Sequence, residues 1–281
     1  MSTWRFSSWL LLLTIAPLLL LGGCATPEEP SQWTMQSIAD APTEAVVLND
    51  EKVGYVATVN RAWVRTMLEV HGRMVRYNSI PTHLYIVDGR NPNVFSWIAK
   101  NEESGEEEGH VAFNLGMIRF LKGDADQFAF LLGHEMAHNT HRHAHSSVDR
   151  ETLFSAIGFA MGSGLSAVGI PMGDVIANLG LTLVHVVFHR GEEEEADLAG
   201  IRYAATAGYD PKAAITFHKR MLEVGGKEHF WFLSDHPTGS DRTELIQTYA
   251  EKAVAWQAGD GPVPWSDDDP FAGDELGFGF D

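Results

Sequence analysis

The chain has 281 residues, with 38 Asp and Glu against 20 Lys and Arg, a formal net charge of −18. That acidity excludes a nucleic-acid partner, because neutralising phosphates needs clusters of Lys and Arg. A single cysteine, Cys24, excludes an intrachain disulfide, so stability rests on a packed core, for which the length is ample in one domain.

The N-terminus carries one charge, Arg5, ahead of an apolar run from Trp9 to Leu21, a run too short for a firm membrane span. Leu21-Gly22-Gly23-Cys24 resembles a bacterial lipobox, in which the cysteine is acylated and becomes the first mature residue. Residues 1–23 then read as a lipoprotein signal peptide. Ala25 follows, not the aspartate that holds many lipoproteins at the inner membrane. The implied address is the periplasmic face of the outer membrane, with Cys24 as the lipid-bearing residue and membrane lipid as a partner. Removing residues 1–23 deletes Arg5 alone among charges, taking the net charge from −18 to −19.

Residues 24–50 contain Pro, Ser and acidic side chains and read as a tether between lipid and domain. The domain itself is expected over 51–258. Val53 to Tyr77 shows helical periodicity through Val56, Val59, Trp63, Met67 and Val70. Thr82 to Val87 is a short strand ending at Asp88-Gly89, and Asn93 to Trp97 continues a sheet. Lys100 to Gly109, with five glutamates, reads as a charged loop. His110 to Asn114 reads as another strand.

Asp124 and Gln127 have capping-box spacing for a helix start. An apolar entry follows, and then His134-Glu135-Met136-Ala137-His138, an H-E-x-x-H. On a helix, residues four apart share a face, so both imidazoles can reach one metal ion while Glu135 points near it without ligating. Two imidazoles and a carboxylate able to take a proton from water are the parts of a zinc hydrolase. Buried histidines without partners would each cost free energy, which argues for a metal. The metzincin extension fails, because its glycine position is His141 and its last ligand position is Ala144. His141, Arg142, His143 and His145 read as a wet helix end complementing the negative dipole.

Leu153 to Pro171 is uncharged, apolar and glycine-containing, a hairpin or loop near the site, with contact to a membrane as an alternative. Val175 to His189 reads as an apolar helix. It delivers the chain to Arg190-Gly191-Glu192-Glu193-Glu194-Glu195-Ala196-Asp197. A glutamate from this run would complete a zinc site. Glu193 and Asp197 share a helical face, so Glu193 could ligate while Asp197 fixes the tautomer of a ligand histidine. Spacing alone leaves Glu192 and Glu194 open. Pro211 to Val224 is a helix with proline at its first position. Thr238 to Ala258 is the last helix, and 259–281 reads as an acidic, disordered tail.

These motifs resemble the gluzincin peptidases of the HtpX, Oma and CAAX-prenyl-protease type. Those share H-E-x-x-H, then Arg-x-x-Glu-x-x-Ala-Asp, here Arg190, Glu193, Ala196 and Asp197, then His-Pro and a later Arg, here His236, Pro237 and Arg242. The resemblance runs from about Val53 to Tyr249. It implies an α+β, mainly helical zincin-like domain with a small edge-exposed sheet beside the H-E-x-x-H helix. It implies one zinc per chain on His134, His138 and Glu193, with Glu135 as general base. His236 would stabilise the oxyanion or sit on zinc as a latent fourth ligand, and Arg242 would orient a carboxylate or the substrate. The strand His110, Val111, Ala112 and Phe113 would form the sheet edge to which substrate backbone adds, a mode with little sequence preference.

The resulting expectation is a zinc metalloendopeptidase acting on misfolded or stalled periplasmic and outer-membrane proteins. The rival is a periplasmic chaperone or assembly factor on the same fold, which would have no need of Glu135. A closed structural zinc site is a weaker rival, since it would favour four ligands, often cysteines, and none lies nearby.

Overall fold

The computed structural model describes residues 35–50, 55–87, 91–101, 104–143, 190–225, 232, 236, 239–261 and 264. The expectations for the signal peptide, Cys24, Leu153–Pro171, Val175–His189 and most of the acidic tail lie outside these residues.

The first elements are α1 (Met35–Ala39), β1 (Ala45–Asp50), β2 (Tyr55–Asn60) and α2 (Arg61–Met74). β1 and β2 form an antiparallel pair. Two expectations are corrected here. Residues 35–50 are not a tether, because Ile38, Val46 and Leu48 are buried in the core. Arg61 Nη1 and Arg65 Nε also donate to the Ala41 and Ala39 carbonyls, fastening α1 to α2. Val56 and Val59 belong to β2 and not to the helix, whose start is set by Asn60. Its Oδ1 accepts from the Ala62 and Trp63 amides. From there Val64, Met67, Val70 and Met74 form the buried stripe of α2.

A three-stranded sheet follows, with β3 (Thr82–Val87), β4 (Val94–Lys100) and β5 (Glu107–Asn114) in the order β3-β5-β4. β5 runs parallel to β3 and antiparallel to β4. This corrects the edge assignment of His110, Val111, Ala112 and Phe113: their backbone is hydrogen-bonded on both sides. The charged loop is shorter than expected, because pairing reaches Lys100 and Glu107. His110 is buried in a ring stack with His83, Tyr85 and Trp97. Burial first, then His83, holds its imidazole down to about 4, with Glu108 working against the shift.

After α3 (Leu115–Leu121) comes α4 (Ala125–Thr140), the helix of the H-E-x-x-H motif. Asp124 caps the helix as expected, its Oδ1 accepting from the Gln127 amide at 3.0 Å, but the reciprocal half of the box does not form: the Asp124 amide donates to the Leu121 carbonyl and Gln127 Oε1 accepts from Arg220. β4 and β5 lie against α4, and Phe113 packs on Phe128 with centroids 4.6 Å apart. Among the described residues the later helices are α5 (Arg190–Thr206), α6 (Ala213–Gly225) and α7 (Ser240–Gln257). Among the described residues no helix is long and apolar enough to cross a membrane. The architecture is α+β and mainly helical, with two small sheets.

α4 and α5 form the most extensive packing in the molecule, and two glycines allow it. A Cβ on Gly200 would lie 2.9 Å from the His134 amide nitrogen and 3.0 Å from the Phe130 carbonyl. A Cβ on Gly133 would lie 3.0 Å from the Gly200 backbone. These contacts are with backbone, so only a shift of one helix would relieve them. Gly200→Ala gains about 1 kcal/mol of helix propensity but incurs an overpacking cost of about 1–3 kcal/mol. The expected result is a lower melting temperature and weaker zinc retention. Gly72→Ala in α2, where a Cβ meets nothing within 4 Å, should be neutral or stabilising. Equal melting curves for the two variants would show that the close crossing does not matter.

Candidate metal centre

The α4–α5 contact brings the separate motifs together. His134 and His138 project from successive turns of α4, with their Nε2 atoms 3.0 Å apart. Glu193 enters from the first turn of α5, where the helix dipole favours a carboxylate. Its Oε1 is 3.3 Å from His138 Nε2 and its Oε2 is 3.7 Å from His134 Nε2. His236 completes the group, with Nδ1 2.8 Å from Glu193 Oε1 and 3.2 Å from His134 Nε2. One ligand atom from each of these four buried side chains lies within 4.8 Å of the others. Of the four consecutive glutamates only Glu193 is buried, so the geometry separates it from Glu192 and Glu194, which spacing alone did not.

The atoms around this cluster test whether a metal fits. His134 Nδ1 is hydrogen-bonded to Asp197 Oδ1 at 3.0 Å, which places the His134 proton on that side. His138 Nδ1 faces His143 Nδ1 at 2.8 Å. With its proton there, the two Nε2 lone pairs face each other, an arrangement that needs a cation between them. Glu135 Oε1 is buried beside the cluster and has no hydrogen-bond partner among the described residues. Two imidazoles, a carboxylate and a further imidazole are a zinc donor set.

Charge is balanced by Arg242 from α7, which is itself buried. Its Nε and Nη2 hold Asp197, the latter at 2.9 Å, and its Nη1 lies 2.6 Å from Glu193 Oε2. Burial works to raise the pKa of Glu193, but His236 and Arg242 hold it well below the usual carboxylate range. Burial likewise opposes charge on Asp197, and Arg242, His218 and His134 lower its pKa well below that range. Burial pushes His138 well below the ordinary imidazole value, leaving it neutral and able to ligate. At His236 burial also disfavours the charge, yet Glu193 and then Glu135 outweigh it and raise the pKa.

Three residues at the site were misread or missed in the sequence. His143 is buried, not at a wet helix end. Its amide bonds the His138 carbonyl at 3.0 Å and that of Arg142 bonds Asn139, a Schellman motif with Arg142 left-handed at φ 60°. This turn folds His143 back under His138, and its Nε2 meets Glu195 Oε2 at 3.2 Å. Glu195 was one of an undifferentiated run. His218 is buried on α6 with Nε2 3.6 Å from Asp197 Oδ1. Arg190 lies at the surface, 3.6 Å from Asp241.

The profile of peptidase family M48 matches residues 60–250. The chain belongs to this family, and its cofactor is zinc. It is 28% identical over 138 residues to the mitochondrial metalloendopeptidase OMA1 of Arabidopsis thaliana, covering 49% of this chain and 27% of that protein. It is 27% identical over 149 residues to the beta-barrel assembly-enhancing protease of Escherichia coli K12, covering 51% and 28%. Similarity to mitochondrial OMA1 of Bos taurus reaches 80% of this chain at 26% identity, and 42% of that protein. The chain thus spans well under half the length of each of these relatives.

The burial of Glu193 predicts a graded result. Glu193→Gln should lose zinc on dialysis against a weak chelator, whereas Glu192→Gln and Glu194→Gln should retain it. Metal analysis giving the same loss for all three would place the third donor elsewhere.

Proposed function

We propose that this chain is a zinc endopeptidase of envelope protein quality control. It cleaves misfolded or stalled periplasmic and outer-membrane proteins while anchored by acylated Cys24 to the periplasmic face of the outer membrane. The observation that carries the peptidase reading is Glu135. Its buried Oε1, which has no hydrogen-bond partner among the described residues and lies 3.6 Å from His236 Nε2, sits at the cluster where two imidazole lone pairs converge. A module that only binds unfolded chains has no use for that carboxylate.

His134, His138 and Glu193 would hold the zinc, which when bound would supply Lewis acidity for the scissile carbonyl and the attacking water. Asp197 holds His134 in the ligating tautomer, and Arg242 keeps both α5 carboxylates ionised and fixed. Glu135 accepts a proton from the water as it attacks, and then delivers it to the leaving amine. Substrate enters as an extended strand. Among the described residues the outer side of β4 (Val94–Lys100) pairs with nothing, and β4 lies against α4. β4 therefore takes the role expected of β5, and main-chain pairing there gives little sequence preference. Such tolerance suits a quality-control enzyme, and one relative carries the name beta-barrel assembly-enhancing protease. His236 fills the fourth place around the ligand point, with Nε2 3.6 Å from Glu135. In this reading it closes the resting site and moves aside for substrate.

The reading is tested with purified protein, an unfolded casein substrate and measured zinc content. Glu135→Gln should keep its zinc and lose about 10²–10⁴-fold in turnover. Near-normal turnover in that variant sinks the mechanism. In the same assay His236→Ala should raise basal cleavage at matched zinc occupancy. A fall of about 10²–10³-fold would instead make His236 an oxyanion donor.

The anchor is tested separately. Wild type grown with labelled palmitate should carry the label, and Cys24→Ser should not. Acylation by several chains holds a protein far more firmly than one chain does. An unlabelled wild type rejects the lipid-anchored address and leaves the peptidase reading standing.

A further inference from the structure

Just past His138 at the end of α4, and two residues past Glu193 on α5, a second cluster forms. His141 caps α4 and His143 follows the Schellman turn. Glu195 lies one position past Glu194 on α5, with one oxygen toward each imidazole. His141 Nδ1 is 2.9 Å from Glu195 Oε1, and His143 Nε2 is 3.2 Å from Glu195 Oε2. One donor atom from each of the three lies within 4.8 Å of the others. The donor set, two histidines of the α4 end and one glutamate of α5, repeats that of His134, His138 and Glu193.

His141 Nδ1 supplies an independent observation. It is buried and close to Glu195 Oε1, yet out of line for a hydrogen bond. Among the described residues no hydrogen bond uses that nitrogen. Glu195 is a third exposed, with side-chain exposure of 32% against 5% for His143. The cluster is therefore open to solvent on the Glu195 side. Arg142, between the two histidines in sequence, is paired with Glu107 at 2.6 Å.

We propose that His141, His143 and Glu195 form a second site for a divalent cation of the zinc class, and that filling it weakens the catalytic site through His138. The proposal rests on His138 being a zinc ligand. With zinc on its Nε2, His138 carries its proton on Nδ1 and donates it to His143 Nδ1 at 2.8 Å. His143 must then carry its own proton on Nε2 and donate to Glu195. A cation on His143 Nε2 needs that lone pair, and the His143 proton moves to Nδ1. Two N–H groups then face each other at a distance suited to one hydrogen bond. The contact breaks, and His138 loses the partner that orients it. Support of this kind is worth about 10–100-fold in metal affinity. The second site is weaker than the first because it lies nearer to solvent, so it fills only when zinc is in excess. Its consequence is a ceiling on activity at high zinc.

The test uses full-length protein carrying Glu135→Gln, which cannot digest itself and whose metal uptake is read without any activity. Zinc is titrated against a competing chromophoric chelator, and bound metal is counted directly. Wild-type ligands should take up a tight zinc and then a weaker one, and the second should speed the exchange of the first with an isotopically distinct zinc. Adding His141→Ala should abolish the second uptake and the acceleration, leaving the tight zinc in place. His141→Ala touches neither His138 nor its contact with His143, so a folding defect is not expected, and retention of the tight zinc checks it. If both proteins take up one zinc with the same exchange rate, the proposal is overturned. A second uptake that leaves the first exchange rate unchanged overturns the coupling. Loss of all tight zinc binding in the His138→Ala protein would uphold the catalytic assignment independently, so the two readings fail separately.

Discussion

Three carboxylates, Glu135, Glu193 and Asp197, are buried between one pair of helices, and the rest of the centre answers their charge. A carboxylate taken out of water without a partner costs several kcal/mol even after relaxation. One guanidinium, Arg242, pairs with two of them, Glu193 and Asp197, while Glu135 lies 3.6 Å from His236 Nε2. The histidines around it ligate as neutral rings, so two negative charges remain, which a divalent cation closes. Arginine suits this place where lysine would not. Its planar fork reaches both oxygens of Asp197 and still leaves a nitrogen for Glu193. The last helix, α7, is thereby tied to the chemistry of α4 and α5, although it contributes no donor to the ligand point.

How well the sequence could be read depended on whether a residue's role was local. The N-cap at Asp124, the i, i+4 histidines and the Glu193–Asp197 pair are short-range patterns, and each occurs where its spacing placed it. The errors arose where tertiary pairing decides. Val56 and Val59 fit a helical period, but Asn60 caps α2 and sends the preceding residues into β2. Residues 35–50 look polar and proline-bearing, yet a few apolar side chains suffice to dock them, and no local pattern announces that. The order β3-β5-β4 is invisible in sequence, because an antiparallel hairpin from β4 to β5 is equally consistent with β5 at the edge. His143 was misplaced for a backbone reason: a left-handed Arg142, where glycine is usual, turns it back into the protein.

The family match begins at Asn60, the cap of α2, and ends within α7. α1, β1 and most of β2 lie before it, yet Ile38, Val46 and Leu48 are as buried as anything inside it. These elements pack on α2, which in turn packs on α4. The part of the chain outside the match therefore bears on the motif helix through one intervening layer, and the domain that folds is larger than the part that is shared.

The close crossing of α4 and α5 explains why donors from distant parts of the chain can be placed with such economy. Gly133 and Gly200 let the two backbones meet, so side chains beyond the crossing, C-terminal to Gly133 on α4 and N-terminal to Gly200 on α5, converge at hydrogen-bonding distance. Nearer the crossing the convergence yields His134, His138 and Glu193; farther along, past the end of α4, it yields His141, His143 and Glu195. The two clusters are joined through His138 and His143, whose Nδ1 atoms meet at 2.8 Å. A ring can carry its proton on only one nitrogen when it is neutral, so what binds one end of that contact dictates what the other end can bind. Two helices held at backbone distance thus give both the precision of the zinc centre and a direct route by which its surroundings act on it.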